Sequence, residues 1–249
     1  MKFNYFCIKA FQVGVLGCAS SVALSFASCQ IPAYHAEYVF QGAVTGTIQQ
    51  NLSPTASGYQ FTSFTQAHKY FFSEVLNEQV TGQIVPNNPA LLPIRYVNKS
   101  NHIQIDFDRK ANTITISHNH LKDFSMPLAP YALDTLTMPL QLQSDVMQGP
   151  MQKSFPIQVV MLTQKQQAEL LPLVFENLGS TPVSTPAGEF ASIELQTTYM
   201  LNQHQIQTEY WFAPKFEDAL VKSATQIDGK PIATASLSDY QASEVCVLK

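Results

Sequence analysis

The sequence predicts a mainly β protein with antiparallel strands and one or two short helices. Residues 102–117 alternate strictly between apolar and polar side chains on both sides of a turn, which is typical of a β-hairpin. Residues 191–237 repeat such strands between short polar turns and predict a meander. Only residues 131–147 place leucines at helical spacing, so helices are expected to be few.

The amino-acid composition limits the classes of protein to which the chain can belong. A chain of 249 residues with 45% hydrophobic side chains can bury a sizeable core. Charged residues make up only 13%, so the surface must be largely uncharged and polar. The formal net charge is −4 and no basic run exceeds Arg109-Lys110, which excludes a nucleic-acid-binding protein. No repeat or long linker divides the chain, and residues 28–249 are predicted to form a single β-rich domain.

The first 27 residues have the pattern of a secretory signal peptide. Lys2 and Lys9 precede an apolar stretch over residues 13–27, and Ser25-Phe26-Ala27 offers a small-x-small cleavage site before Ser28. The sequence therefore predicts that the protein is exported to the periplasm and could associate with the outer membrane. An uncleaved anchor is the alternative, so membrane contact is expected only if the N-terminus is retained or lipidated.

Cysteine placement leaves two readings open. Cys7 and Cys18 fall inside the predicted signal, whereas Cys29 and Cys246 lie near the two ends of the mature chain. A disulfide between Cys29 and Cys246 would tie these ends together in an oxidising compartment. The alternative is lipidation of Cys29, or of Cys18, because the residues before each resemble a lipidation signal at all but one position.

The first third of the chain predicts strands separated by turns. Residues 34–50 predict a strand pair or a bulged strand, because two glycines interrupt their alternation. Residues 51–57 contain Pro54 and small polar side chains, which favour a turn. The aromatic residues 59–72 and the short apolar run 80–85 predict two further strands.

In the predicted hairpin of residues 102–108 and 113–117, one face is apolar and the other polar. Asp106 and Asp108 fall on the polar face and need no functional explanation.

Residues 131–147 predict a short or kinked helix. Asp134 can cap its start, and Pro139 argues against a long regular helix. After it, residues 157–162 predict a strand, and residues 170–176 predict another, with a helical turn over residues 164–171 as the alternative.

The chain resembles the bacterial family of unknown function numbered 3108. The motifs that carry the resemblance are Thr185-Pro186-Ala187-Gly188-Glu189-Phe190, Tyr210-Trp211-Phe212-Ala213-Pro214, Asp228-Gly229-Lys230 with Leu237, Ala36-Glu37-Tyr38, and Leu92-Pro93-Ile94-Arg95-Tyr96. The resemblance covers most of the mature chain and implies an exported protein built as a curved antiparallel sheet or an incomplete β-barrel. It implies no established catalytic activity. The chain departs from the family in its low charge content, with Gln where members often have basic residues.

One pair of histidines has a spacing that could bind a metal. On a continuing strand His118 and His120 would share a face, and His102 or Asp123 could supply the third ligand that a useful site needs. The alternative is an ordinary polar hairpin end. No other cofactor is predicted, because the chain lacks a glycine-rich phosphate loop.

Signals for catalysis are weak. No Gly-x-Ser-x-Gly motif is present, and the only carboxylate pair expected to face each other across a hairpin is Glu194 with Glu209. Paired carboxylates on neighbouring strands are usually only solvated, so the sequence favours a non-enzymatic protein. A hydrolase-like enzyme without a recognisable motif and a purely structural envelope component are the alternatives.

A curved apolar sheet can form a trough for a hydrophobic ligand, a lipid or a partner protein. The candidate trough residues are Phe61, Phe71, Ile105, Ile116, Ile193 and Trp211. Filling an ordinary core is the alternative role for each of them. Trp211, the sole tryptophan, is interpreted first as an anchor of the core or its rim, with its strand ending at Ala213-Pro214.

Overall fold

One open sheet dominates the part of the chain that the structure describes. The structure, a computed structural model, describes residues 31–69, 72–85, 90–119, 121–162 and 168–248. Its strands are β1 (Ile31–Gly42), β2 (Thr45–Thr55), β3 (Gly58–Lys69), β4 (Phe72–Ile84), β5 (Leu91–Asn98), β6 (Ile103–Asp108), β7 (Thr113–His118), β8 (Leu121–Pro127), β9 (Leu133–Asp134), β10 (Ser154–Leu162), β11 (Ala168–Thr185), β12 (Gly188–Leu201), β13 (His204–Ala213), β14 (Ala219–Ile227) and β15 (Lys230–Leu248). A helix, α1, spans Thr137–Met147, and a 3-10 turn spans Pro214–Phe216.

The strands are ordered as two meanders that meet in the middle of the sheet. Strands β1 to β8 run in sequence towards one edge, and the chain then crosses through β9 and α1 to the other edge. Strands β10 to β15 return until β15 pairs with β1. Every pair is antiparallel except the short β9–β10 pair, which is parallel. The predicted mainly β, antiparallel fold is therefore confirmed, and the sheet stays open between its edges β8 and β9.

Several bulges interrupt the register and bend the sheet. An extra residue in one strand increases the local twist and bends that strand. Such shifts occur at Glu37/Tyr38, Thr81/Gly82, Asn177/Gly179, Trp211/Phe212 and Thr225/Gln226. They explain how long strands such as β11 and β15 follow a curved path, as expected for a curved sheet.

The predicted turn at residues 51–57 is wrong, because β2 continues through Pro54 to Thr55. The pairing of β2 with β1 ends at Leu52, and beyond this point β2 has only β3 beside it. Proline lacks an N–H donor and is tolerated where one side of a strand is unpaired. The actual turn is the tight connection at residues 56–57.

The predicted helix is shorter than residues 131–147. Tyr131 has a positive φ of 58°, and β9 pairs with β10, so helical geometry begins only at Thr137. Pro139 then lies in the first helical turn, where the missing N–H costs no intrahelical hydrogen bond.

Helix α1 packs between two hydrophobic cores. The larger core lies mainly within β1 to β7, and the smaller one lies within β9 to β13. Leu136 and Leu140 belong to the larger core, whereas Met138, Leu142 and Val146 belong to the smaller. The helix therefore lies where the two halves of the sheet approach each other, and it also contacts β5 and β14.

Candidate ligand-binding cleft

A cleft of about 360 Å³ opens between β5, residues 128–133, α1 and β10. Its volume falls at the small end of the range of about 300–1,000 Å³ that is usual for ligand sites. The residues that line it are Ala90, Leu91, Leu92, Pro130, Tyr131, Leu133, Gln141, Pro156, Ile157 and Gln158. The list joins four separate segments of the chain, so the cleft exists only in the folded protein.

The interior of this cleft is apolar. Leu91, Leu133 and Ile157 are almost fully buried and form its floor, whereas the exposed Pro130, Tyr131 and Pro156 supply the apolar surface that a ligand can reach. Tyr131 lies at the rim with 56% of its surface exposed, and its backbone has the positive φ that bulky residues rarely adopt. Residues held in sparsely populated backbone geometry cluster at active sites and ligand clamps.

Asp134 fixes the segment that forms one wall of the cleft. Its Oδ1 accepts hydrogen bonds of 2.8 Å from the backbone N–H groups of Leu136 and Thr137, and its Oδ2 accepts one of 2.7 Å from the Thr137 hydroxyl. Burial raises the pKa of the Asp134 carboxyl, and these hydrogen bonds partly oppose the rise. Asp134 is not the N-cap as predicted, because Leu136 holds that position without a side-chain cap hydrogen bond; the Asp134 carboxylate instead closes the turn that leads into α1.

A buried relay connects Asp134 to the opposite half of the sheet. The Thr137 hydroxyl donates to Asp134, so the Tyr59 hydroxyl 3.3 Å away is the group that donates to Thr137. Arg109 binds the same segment, since its Nη2 donates to the carbonyl of Ala132 at 2.9 Å. These contacts hold residues 128–137 against β3 and the β6–β7 turn.

Gln141 ties β5 to α1 beside the cleft. Its Oε1 accepts a hydrogen bond of 2.8 Å from the Leu91 N–H, and its Nε2 donates at 2.8 Å to Oδ1 of Asp145. One side chain thus bridges two walls, and it places a carboxylate one helical turn further along α1.

The family model described as a protein of unknown function, DUF3108, matches residues 33–230. The chain belongs to the DUF3108 family. The resemblance seen in the sequence motifs is thereby confirmed, and the matched region includes every element that forms the cleft.

Comparisons beyond the DUF3108 family are distant. No curated protein matches the chain. Two solved structures are similar to it at 8% identity: a "putative lipoprotein" from Parabacteroides distasonis with a TM-score of 0.37, and a "putative exported protein with YmcC-like fold" from Bacteroides fragilis with a TM-score of 0.33. Each covers 86% of this chain and 99% of the other. Within the described ranges, no helix is both long and apolar enough to cross a membrane.

The predicted trough residues that the structure describes do not gather in one trough. Phe61, Ile105 and Ile116 lie in the larger core with exposures of 2% or less, so a ligand could reach them only by displacing their neighbours. Ile193 is partly buried against the smaller core, and Phe71 lies outside the described residues. None of the five described residues lines the cleft, and the ligand-binding role of all six stays a prediction.

Trp211 is half-buried and packs against the larger core, as the interpretation of an anchor expects. The ammonium group of Lys222 lies 5.1 Å from the centre of its ring, which adds a cation–π contact. Its strand ends at Ala213, where the 3-10 turn begins at Pro214.

The prediction that Glu194 and Glu209 face each other across the hairpin is wrong, because the observed pairing is offset by two residues. Glu194 lies opposite Trp211, and Glu209 lies opposite Gln196. Each carboxylate accepts hydrogen bonds from a neighbour, Glu194 from Thr181 at 3.0 Å and Glu209 from Gln196 at 3.2 Å. The two residues are therefore diagonal neighbours across the β12–β13 pair and not directly opposed.

The predicted metal ligands lie around the β6–β7–β8 edge. His118 ends β7, His102 precedes β6, and Asp123 is on β8, but His120 lies outside the described residues. Among the residues that the structure describes, no three His, Cys, Asp or Glu side chains gather closely enough to hold a metal. The His118–His120 pair stays a prediction.

Cys246 is disulfide-bonded and lies on β15, next to the start of β1. Its Sγ is 3.7 Å from the carbonyl oxygen of Ile31. Cys29 and Cys18, together with the predicted signal peptide, lie outside the described residues. The pairing of Cys29 with Cys246 and the alternative of lipidation therefore both stay predictions.

The cleft is not predictable from the sequence, because its residues carry no motif. Leu91, Leu133 and Ile157 are ordinary apolar residues far apart in the chain, and only tertiary packing brings them together. The single local signal is Pro130-Tyr131 at the start of the predicted helix, where a turn-forming proline is followed by an aromatic residue.

Proposed function

We propose that this DUF3108 protein is an exported cell-envelope protein that binds an apolar ligand in the cleft between β5, α1 and β10. Export is supported by the signal-peptide pattern of residues 1–27. The observation that carries the ligand-binding proposal is the cleft itself, which combines an apolar interior, an exposed aromatic rim and a volume suited to a small molecule.

The physical reason is the burial of apolar surface on both partners. Each methylene group that a ligand moves from water into such a cleft contributes about 0.8 kcal/mol. The exposed ring of Tyr131 would lose contact with water in the same step and add to this gain.

The cleft is also held in shape before any ligand arrives. Asp134 secures the start of α1, and Gln141 bridges α1 to Leu91 on β5. A preformed site avoids the entropy cost of ordering its walls during binding. The cleft is therefore a better candidate than the packed interior around Phe61 and Ile116.

The first prediction concerns Gln158, a half-buried residue of β10 that lines the cleft. Gln158→Trp is expected to weaken binding of the neutral fluorophore N-phenyl-1-naphthylamine by at least about tenfold, because the indole ring fills part of the cleft. A tenfold loss corresponds to about 1.4 kcal/mol. Tryptophan suits a strand position, so the variant is expected to fold normally. Fluorescence titration measures the binding, and circular dichroism checks the fold.

Gln226→Trp is the matched control. Gln226 is also a half-buried glutamine on a strand, β14, and it lies outside the lining of the cleft. The control should bind the fluorophore like the unaltered protein. Equal binding by Gln158→Trp and the unaltered protein would contradict the proposed cleft, and an absence of binding by the unaltered protein would contradict the proposed function.

A further inference from the structure

A second cleft of about 410 Å³ opens beside the first, along the C-terminal half of α1. It is lined by Asp145, Gln148, Gly149, Pro150, Met151, Gln152 and Phe155. Across both linings, which consist only of described residues, Asp145 is the one charged side chain, and no Lys, Arg or His is present. The ends of this combined surface therefore differ: the first cleft is apolar and the second is acidic.

The two clefts share both walls. On α1, Gln141 lines the first and Asp145 the second, and a hydrogen bond of 2.8 Å joins them. On β10, Phe155 lines the second cleft, and Ile157, which projects to the same face of the strand and packs on the same core, lines the first. A single elongated molecule could therefore occupy both clefts, with its polar end at Asp145.

The Asp145 carboxylate is placed to receive a positively charged group. Its Oδ1 accepts from Gln141, while no donor among the described residues reaches its Oδ2. Burial raises its pKa to about 6, and the Gln141 hydrogen bond opposes part of the rise. No charged neighbour contributes to this shift; besides Gln141, the side chains around it in the cleft are the amides of Gln148 and Gln152 and the apolar Met151 and Phe155.

We infer that the ligand is a single-chain amphiphile with an ammonium head group, whose chain lies in the apolar cleft and whose head group binds Asp145. This inference rests on the proposed function and specifies its ligand class. An ammonium group can donate to Oδ2 in a charge-assisted hydrogen bond, which is stronger than a neutral one. An anionic head group at the same place would be repelled by a carboxylate with no cation beside it.

The test compares three ten-carbon probes that differ only in the head group: decylamine, decanol and decanoate. Each displaces N-phenyl-1-naphthylamine from the unaltered protein at pH 7.5, below its micelle concentration. Decylamine is expected to bind at least about tenfold more tightly than decanol, and decanoate most weakly. Decylamine binding should weaken as the pH falls through about 6, because Asp145 becomes protonated while the amine stays charged.

Asp145→Asn should remove both the preference for the amine and its pH dependence. Asparagine keeps an oxygen for the Gln141 hydrogen bond, so the fold should persist, which thermal unfolding checks. Asp239→Asn on β15 is the matched control, because Asp239 is also half-buried and accepts a hydrogen bond from a glutamine, and it should keep the preference. A second variant, Gln152→Lys, adds a cation at an exposed position of the second cleft and should shift the preference towards decanoate.

The outcomes separate the inference from the proposed function. Equal affinity for the three probes, or an amine preference that survives in Asp145→Asn, would overturn the ammonium assignment while leaving an apolar binding site. Failure of the fluorophore and all three probes to bind would overturn the proposed function as well.

Discussion

Asp134→Ala is expected to lower the free energy of unfolding by about 2–4 kcal/mol. The substitution leaves the backbone N–H groups of Leu136 and Thr137 and the Thr137 hydroxyl without their acceptor in a buried site. Each buried donor left unpaired costs about 1–3 kcal/mol. Relief of the burial of a carboxylate, whose pKa is raised for that reason, offsets part of the loss. Urea unfolding followed by circular dichroism measures the change.

Asp134→Asn is the informative companion, because its amide oxygen can still accept from the two backbone donors. Asp134→Asn should lower the free energy of unfolding clearly less than Asp134→Ala does. Asp123→Ala on exposed β8 should change the stability by less than about 0.5 kcal/mol. If the free energy of unfolding of Asp134→Ala lay within about 1 kcal/mol of that of the unaltered protein, Asp134 would not be the group that secures the start of α1.

Gly82→Ala is also expected to be severe and to lower the free energy of unfolding by about 2–3 kcal/mol. Gly82 lies opposite Tyr59 across the β3–β4 pair, and a Cβ at Gly82 would overlap the Tyr59 ring. Tyr59 is fully buried, so the ring can move only by disturbing the core and its hydrogen bond to Thr137. Overpacking of this kind typically costs about 1–3 kcal/mol. Urea unfolding again measures the change.

A double-mutant cycle checks this cause. Tyr59→Leu removes the ring that the new methyl group would meet, so Gly82→Ala should cost at least about 1 kcal/mol less in that background. Thr81→Ala, the neighbouring position on β4, controls for the loss of strand propensity and should have a small effect. Equal costs of Gly82→Ala in both backgrounds would show that contact with Tyr59 is not the reason.

Local patterns were sufficient for the parts of the fold in which one strand pairs with the next. The hairpin of β6 and β7 follows from strict alternation, because the side-chain period of a strand matches the pattern of Ile103, Ile105, Ile114 and Ile116. Prolines led to wrong predictions of where elements begin and end. Pro54 lies inside a strand because its unpaired side faces no neighbour, and only the register of the whole sheet reveals this.

The candidate site depended on information that local patterns do not contain. Alternation shows that Ile105 and Ile116 face away from water, but it does not show whether a ligand or the rest of the protein covers them. In the structure they belong to the larger core, to which the segment before α1 also contributes Leu136. The cleft arises instead where four separate segments of the chain meet without filling the space between them. Such an incomplete closure depends on how the two halves of the sheet approach each other.

Photo-crosslinking tests most directly whether the cleft between β5, α1 and β10 binds an apolar ligand. The purified protein is irradiated with a decylamine analogue that carries a diazirine in its chain, and labelled peptides are mapped by mass spectrometry. Labels are expected in residues 90–92, 130–133 and 156–158, with competition by unlabelled decylamine and a loss in Gln158→Trp. Labels spread over the exposed surface, or confined to peptides far from these three segments, would contradict the assignment of the cleft.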